Sequence, residues 1–248
     1  MAIIPWNKKY TETLAETLKR FRFEKPEYEH EKVTYAGRLD PMAEGLLILL
    51  TGNDVHKKED FLGLDKVYEI DFICGPSTDT YDVLGLINND SENLRQIHID
   101  KLEKEVKNYI KKYKQPYPPY SSKPVNGKPL FMWARENRLD EIKIPYKEVE
   151  VYDIKYIGHK HRNISSFKEE MLYGIRSVRG DFRQNDIADT WYNYFETQKT
   201  KSISIYTIRV HASSGTYMRS IIQNIGKSLC INACTLKITR TSIGDYSF

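Results

Sequence analysis

The residues most able to do chemistry lie in four short segments. The first is Gly37-Arg38-Leu39-Asp40-Pro41-Met42-Ala43-Glu44-Gly45. It sets one carboxylate, Asp40, on a loop with glycine at either end. The proline after Asp40 biases that residue towards extended backbone. Loops fixed on rigid scaffolds are common places for catalytic groups, whereas an Asp-Pro pair taken alone is more often a turn cap. Far along the chain, Ser213-Ser214-Gly215-Thr216-Tyr217-Met218-Arg219 offers the complementary charge. Gly215 permits a tight turn, and a helix after it presents Arg219, which could pair with a carboxylate in a closed site.

Two further segments are polar and structured. Thr78-Asp79-Thr80-Tyr81-Asp82-Val83-Leu84-Gly85 is acidic but does not follow the alternating oxygen ligands and terminal Glu of a calcium loop. Gln115-Pro116-Tyr117-Pro118-Pro119-Tyr120-Ser121-Ser122-Lys123 reads as a proline-stiffened surface loop, with Lys123 and Lys128 available to phosphate. Gly226-Lys227-Ser228 resembles the end of a nucleotide-binding loop. That motif needs a glycine where Ile221 stands, so no ATP site is expected. The three cysteines, Cys74, Cys230 and Cys234, form neither a disulfide framework nor a zinc set, and read as buried structural thiols.

The elements that must hold these segments follow from periodicity. Leu14, Leu18 and Phe21 predict a helix over 10–23. A loop over 34–45 leads into a buried strand, Leu46–Leu50. Val67–Ile73 alternates as a strand. Leu102, Val106, Tyr109, Ile110 and Tyr113 share a face, predicting a helix over 100–113 with Asp100 as N-cap. The stretch 115–129 reads as an ordered loop, and a helix begins near Phe131–Arg135. Val149–Ile157 and Ile203–Ala212 alternate as strands, the polar 158–200 between them shows no clear period, and Ser214–Leu229 runs from turn into helix. The resulting class is α+β.

Composition sets the class of molecule. The 248 residues are 40% hydrophobic and 29% charged, as in a globular chain with a real core. No stretch approaches the roughly 20 apolar residues that span a bilayer, and Met1–Trp6 lacks the pattern of a signal peptide. A cytoplasmic monomer is expected. The formal charge of +4 is weak evidence for nucleic acid. Lys19-Arg20-Phe21-Arg22-Phe23 and Lys111-Lys112-Tyr113-Lys114 interleave cations with rings, which suits RNA and equally suits solvated helix faces with an aromatic side in the core.

Taken in order, the segments resemble the TruB family of tRNA pseudouridine synthases over nearly the whole chain. Gly37–Gly45 matches that family's Gly-x-Leu-Asp-Pro-x-Ala-x-Gly loop. Lys66 and Tyr68 match its Lys-x-Tyr strand, and Thr78–Gly85 its Thr-Asp-Thr-x-Asp-x-x-Gly. Gln115–Lys123 matches its Gln-x-Pro-Pro-x-Tyr-Ser-Ala-x-Lys with small shifts, and Ser213–Arg219 its Ser-x-Gly-Thr-Tyr-Ile-Arg with Met218 for Ile. The resemblance implies the family's catalytic fold, with a mixed, mostly antiparallel central sheet flanked by helices and loops. It implies a single domain over 1–248, with 158–200 an insertion and no C-terminal PUA extension. It implies that Asp40 acts at the ribose of a uridine in the tRNA T-loop, at position 55. Tyr68 stacks on the base and helps remove the C5 proton, and Arg219 holds Asp40 ionised and oriented. Tyr35, Lys66, Lys123 and Tyr217 meet the RNA or shape the pocket. The target base leaves its stack, detaches from C1′, rotates and rejoins through C5. No metal or cofactor is implied.

The departures are local. Tyr35 stands where the family has a His associated with base flipping, so either Tyr35 stacks in its place or the flipping step differs. Arg38 and Glu44 replace small or uncharged residues, and Trp6-Asn7-Lys8-Lys9 only loosely matches Asp-Lys-Pro-x-Gly. The alternatives are a tRNA-folding chaperone in which catalysis is lost or secondary, and the catalytic subunit of a guide-RNA particle.

Overall fold

A computed structural model of the chain describes residues 2–248. In chain order the elements are β1 (Ala2–Lys8), α1 (Leu14–Glu24), β2 (Val33–Ala36), β3 (Ala43–Thr51), α2 (Lys58–Leu62), β4 (Lys66–Cys74) and α3 (Ile99–Lys107). There follow β5 (Lys112–Pro116), β6 (Pro124–Val125), β7 (Lys128–Pro129), α4 (Leu130–Arg135), β8 (Tyr146–Asn163), α5 (Ile164–Ser177) and α6 (Gln184–Glu196). The chain closes with β9 (Ser202–Ala212), α7 (Met218–Ser228), β10 (Ala233–Ile243) and β11 (Tyr246–Ser247). The large sheet runs β1-β3-β10-β4-β9-β8-β5, with β2 also on β3 and β11 on β10. Among the described residues only the strands β3 and β10 pair in parallel, through Ala43–Gly45 and Ile238–Arg240. The sheet is therefore mixed and mostly antiparallel, and the class is α+β.

Strand alternation divides the core between the two faces. Phe72 and Cys74 of β4, with Tyr206, Ile208 and Val210 of β9, pack with Leu102 and Val106 of α3 and Ile221, Ile222 and Ile225 of α7. Ile73 of β4, Ile203 and Ile205 of β9, and Cys234 and Leu236 of β10 point the other way. They pack with α5 and α6 through Phe167, Ile175, Ile187 and Trp191. That second cluster also buries Met42, Val83 and Leu84, which are neighbours of Asp40 and Asp82.

Several elements differ from the sequence expectation. The stretch 158–200 is not patternless: β8 runs on to Asn163, and α5 and α6 fill most of the remainder. Their polar outer faces hide a buried stripe of Phe167, Met171, Leu172 and Ile175, followed by Ile187, Trp191 and Phe195. The first helix starts at Leu14, because Thr13 caps it and exchanges hydrogen bonds with Glu16. The α3 helix is capped at His98, not Asp100, and ends at Lys107. Residues beyond it extend instead, since Tyr113 pairs with Val149 at the sheet edge. Residues 34–36 and 43–45, expected as loop, are strand. Within 115–129 a tight hairpin, β6–β7, turns on Asn126-Gly127, both at positive φ. Strands β1 and β10 carry no clear alternation and were not anticipated. Cys74 and Cys234 are buried, whereas Cys230 is exposed.

The basic aromatic runs split between roles. Phe21 is buried and Arg20 pairs with Glu12 at 2.7 Å, while Phe23 stands exposed. Lys112 is an exposed partner of Glu150, and Lys114 lies over the Tyr146 ring.

Trp191 ties α6 to the acidic loop. It is fully buried, stacks with Phe195, and donates from Nε1 to the Val83 carbonyl at 3.1 Å. Trp191→Ala is expected to lower unfolding free energy by about 3–5 kcal/mol, in one cooperative transition on urea titration. A loss below about 1 kcal/mol, or two separate transitions, would mean that α5 and α6 ride on the sheet without sharing its core.

Candidate active site

The Asp40 loop is pinned from two sides by buried cations. Arg240 of β10 donates from Nε to the Leu46 carbonyl at 2.7 Å and from Nη2 to the Gly37 carbonyl at 3.2 Å. Lys8, at the end of β1, donates to the carbonyls of Ala43 at 2.5 Å and Pro41 at 3.2 Å. Burial pushes the Lys8 ammonium down to about 8. Gly45 lets the strands close at this point. Its φ is +102°, and a Cβ there would lie 2.3 Å from the Arg240 carbonyl oxygen. The backbone on both sides of Asp40 is thus fixed while its side chain stays free to reach out.

Arg219, in the first turn of α7, meets that side chain. Its Nε lies 2.9 Å from Asp40 Oδ2 and 3.5 Å from Asp82 Oδ2. Nη1 donates to the Thr80 carbonyl at 2.5 Å and Nη2 to the Tyr120 carbonyl at 3.3 Å. One guanidinium therefore joins three loops. Exposure separates the two carboxylates: the Asp82 side chain is 8% exposed and that of Asp40 46%. Asp82 is an anchor, whereas Asp40 faces a cavity.

Asp82 is held by Thr80 Oγ1 at 2.7 Å and the Leu84 amide at 2.9 Å. Burial still raises it to about 6, against the opposing pull of Arg219. Burial also opposes the charge on Arg219, but the nearby carboxylates outweigh it and its pKa lies above the ordinary value. Gly85 keeps this acidic turn compact, since a Cβ there would sit 2.3 Å from Thr80 Oγ1.

Asp40 and Arg219 lie on the wall of a cleft of about 610 Å³ that Tyr68, Lys66, Lys123 and Tyr217 also line. Six of the seven residues singled out in the sequence thus converge. Tyr68 projects from β4 and packs against the edge of the main core. Tyr217 is held by its backbone: its amide donates to Gln115 Oε1 at 2.8 Å and its carbonyl accepts from Gln115 Nε2 at 3.1 Å. Its ring meets that of Tyr117 edge-on at 5.6 Å, and Lys123 Nζ lies 5.4 Å from the Tyr117 ring.

Lys66 is committed elsewhere. It is buried, and its ammonium donates to the Leu62 carbonyl at 2.9 Å and to that of Leu64, with burial lowering it to about 8. It supports the wall with its charge turned into the backbone. Tyr35 is the residue not brought to the cleft. It packs beside Leu47, Leu49 and Phe21, with Lys58 Nζ 5.5 Å above its ring.

Three contributors were not singled out. Arg240 and Lys8 were invisible because nothing in their spacing announces carbonyls 30 to 200 residues away. Asp82 lay in a segment whose order matched the family, which was the available signal. Arg38, the unusual neighbour of Asp40, is exposed and bonds Ser122 Oγ at 2.8 Å, bridging two loops at the cleft. Glu44 turns to Lys237 and Thr239 on β10, at 3.0 and 3.2 Å. Among the described residues no group of three or more His, Cys, Asp or Glu is arranged to hold a metal ion, and no helix is long and apolar enough to cross a membrane.

Comparison with known proteins bears on the same segments. The model of the TruB family pseudouridylate synthase, N-terminal domain, matches residues 25–174. The tRNA pseudouridine synthase B of Fusobacterium nucleatum subsp. nucleatum is 29% identical over 217 residues, covering 88% of this chain and 60% of that protein. The tRNA pseudouridine synthase 4 of Saccharomyces cerevisiae is 25% identical over 255 residues, covering 87% and 62%. The chain thus spans about three-fifths of the length of these curated relatives. Among solved structures, a Cbf5-Nop10-Gar1 complex shares the fold, with a TM-score of 0.59 at 17% identity, over 99% of this chain and 49% of that one.

The raised Asp82 gives a pH test. Its folded pKa of about 6 lies above the ordinary 3.8, so the folded protein holds this proton more tightly than the unfolded chain. Ionising Asp82 therefore lowers stability as pH rises from about 4 through 6. Asp82→Asn removes that dependence. Relative to the unsubstituted protein, the variant is expected to gain roughly 1 kcal/mol between pH 5 and pH 8, read from urea unfolding at both values. A stability difference that does not change with pH would contradict the assignment.

Proposed function

Because the chain belongs to the TruB family of pseudouridylate synthases, we propose that it isomerises uridine to pseudouridine in tRNA, at position 55 of the T-loop. The observation that carries this reading is the 2.9 Å pair between half-exposed Asp40 and buried Arg219, at the wall of a cleft that Tyr68 also lines. The tRNA pseudouridine synthases among the relatives supply the substrate class.

The chemistry follows from what the residues can do. A uridine flipped from its stack enters the cleft. Asp40 acts at the ribose, by attack at C1′ or by taking a ribose proton, and either needs a carboxylate held within reach of the sugar. Arg219 holds it there through Nε, which Asp82 also faces, while two carbonyls fix the Nη atoms of the guanidinium. The C1′–N1 bond breaks, the uracil rotates, and C5 forms the new bond to C1′. C5 then loses its proton with the help of Tyr68, and N1 ends protonated. Atoms and electrons balance without an oxidant, a hydrolytic water or a metal. Lys123 and Tyr217 shape the entrance and the base pocket. The same reading makes the chain one catalytic domain acting as a cytoplasmic monomer, with 158–200 as an insertion.

Asp40→Asn is expected to lower pseudouridine formation on a T-arm transcript by more than about 10³-fold with unchanged folding, and Tyr68→Phe by about 10²-fold. Mapping pseudouridine in cellular RNA with and without the gene identifies the position. If Asp40→Asn restores a deletion strain fully, the working role is tRNA folding and not isomerisation.

A further inference from the structure

Arg183 immediately precedes α6, outside the residues that the family model matches. It adopts left-handed backbone, with φ +62°, a conformation that a non-glycine residue takes only where its surroundings demand it. Those surroundings are two loops of the site. Arg183 Nη1 lies 2.8 Å from Asp79 Oδ2. Its guanidinium carbon lies 4.6 Å from the centre of the Tyr120 ring, within cation–π range.

The next residue on one loop is Thr80, whose carbonyl accepts from Arg219 Nη1, and Tyr120 itself accepts from Arg219 Nη2. So the two carbonyls that aim Arg219 at Asp40 both sit on segments gripped by Arg183. Asp79 is tied into its own turn, since Oδ1 accepts from the Leu86 amide at 2.9 Å. A pull on its carboxylate is therefore a pull on the whole acidic turn. Nor is Arg183 a distant brace. With Asp40, Arg219 and Tyr120 it lines a cavity of about 340 Å³ beside the main cleft. The side chain is 18% exposed and its Asp79 partner 25%, so solvent screens this pair only in part.

We infer that Arg183 is a positioning residue for the proposed isomerisation: it locks the Asp79 turn and the Tyr120 loop together, and so fixes the direction in which Arg219 presents Nε to Asp40. The inference rests on the pseudouridine synthase reading for its kinetic consequence, but the geometry it describes does not depend on turnover. Arg183 has no part in contacting the reacting atoms. Its removal should slow the chemical step and leave RNA affinity nearly untouched.

The test uses the full chain with a T-arm transcript and with a second readout that needs no substrate. Arg183→Ala is expected to lower kcat about 10-fold with KM changed less than about 2-fold, because small misplacements of a catalytic group act on the bound complex. Arg183→Lys, which keeps the charge but not the planar stack, is expected to recover to within about 3-fold of the parent. Asp79→Asn should resemble Arg183→Ala, and the double variant should be no slower than either alone, since both cut one link. In protein labelled with ¹⁵N-arginine, hydrogen exchange at the Arg219 Nε–H is expected to quicken about 10-fold in Arg183→Ala, as a loosened ion pair admits water.

A folded Arg183→Ala with parental kcat and parental exchange at Arg219 overturns the inference. So does a loss confined to KM, which would make Arg183 an RNA contact. If Arg183→Ala does not fold, Arg183→Lys and Asp79→Asn are read by the same two measures, and parental values in both overturn it. Should the unsubstituted protein convert no uridine, the functional proposal fails by itself. The exchange measurement then still decides whether Arg183 aims Arg219.

Discussion

A buried guanidinium has to be neutralised and hydrogen-bonded from every side, and in this protein that requirement organises the site. Arg219 is 5% exposed, with two carboxylates and two carbonyls around it. Removing a charge of this kind from water is costly unless it is paired and its donors are all used. The 78–85 turn, the 115–123 loop and the 37–45 loop must therefore all arrive together for α7 to begin where it does. What stabilises the arginine also fixes the site: each donor satisfied by the fold is a direction no longer free to vary. Of its partners only Asp40 is left half in solvent, so the surplus reach of this network points into the cleft.

The other buried cations follow the same logic with a different target. Lys8, Lys66 and Arg240 are all nearly inaccessible, and they bond backbone carbonyls around the site: those of the aspartate loop and the start of β3 for Lys8 and Arg240, and those at the end of α2 and beyond it for Lys66. Carbonyls at the ends of strands and helices lack regular backbone partners, and when buried they need donors from elsewhere. A long cationic side chain from a neighbouring strand can reach several at once. The cost is visible in the two lysines, each pushed down to about 8 by burial. In exchange the aspartate loop is rigid without being packed over. A basic residue in a family motif therefore does not imply contact with phosphate. In Lys66 the geometry assigns the charge to the protein itself, whereas Lys123 lines the cleft.

Much of this was legible in the sequence, and the reasons for the rest are physical. Helix α1 buries one face, and strands β4 and β9 alternate between two different cores over much of their length, so their periodicity shows. The order of the four polar segments carried the fold class and brought Asp40, Tyr68 and Arg219 to notice. Residues 158–200 failed to show a period because α5 and α6 are exposed over most of their surface, so a narrow apolar stripe was diluted by charge. Residues 109–113 looked helical because aromatic spacing cannot tell a helix face from a strand that finds a partner across the sheet. Tyr35 illustrates the limit of motif transfer. It occupies the right place in the string, but β2 pairs with β3 and turns the ring into a small cluster with Leu47 and Leu49, away from the cleft.

The position of β10 explains why the site needs nearly the whole chain. This strand, third from one edge of the sheet and near the end of the sequence, lies between β3 and β4. The strand that Asp40 precedes, β3, and the strand that carries Tyr68, β4, are thus joined only through residues 233–243. Its parallel bridge to Ala43–Gly45 and its antiparallel ladder to β4 set the separation of Asp40 and Tyr68 to within one strand spacing on either side. From the same strand, Arg240 reaches back to seal the loop. The contacts that pin the Asp40 loop from β10 thus join residues 194 to 203 apart in the chain. One strand therefore completes both the sheet and the setting of the acidic site, and that follows from where it is inserted.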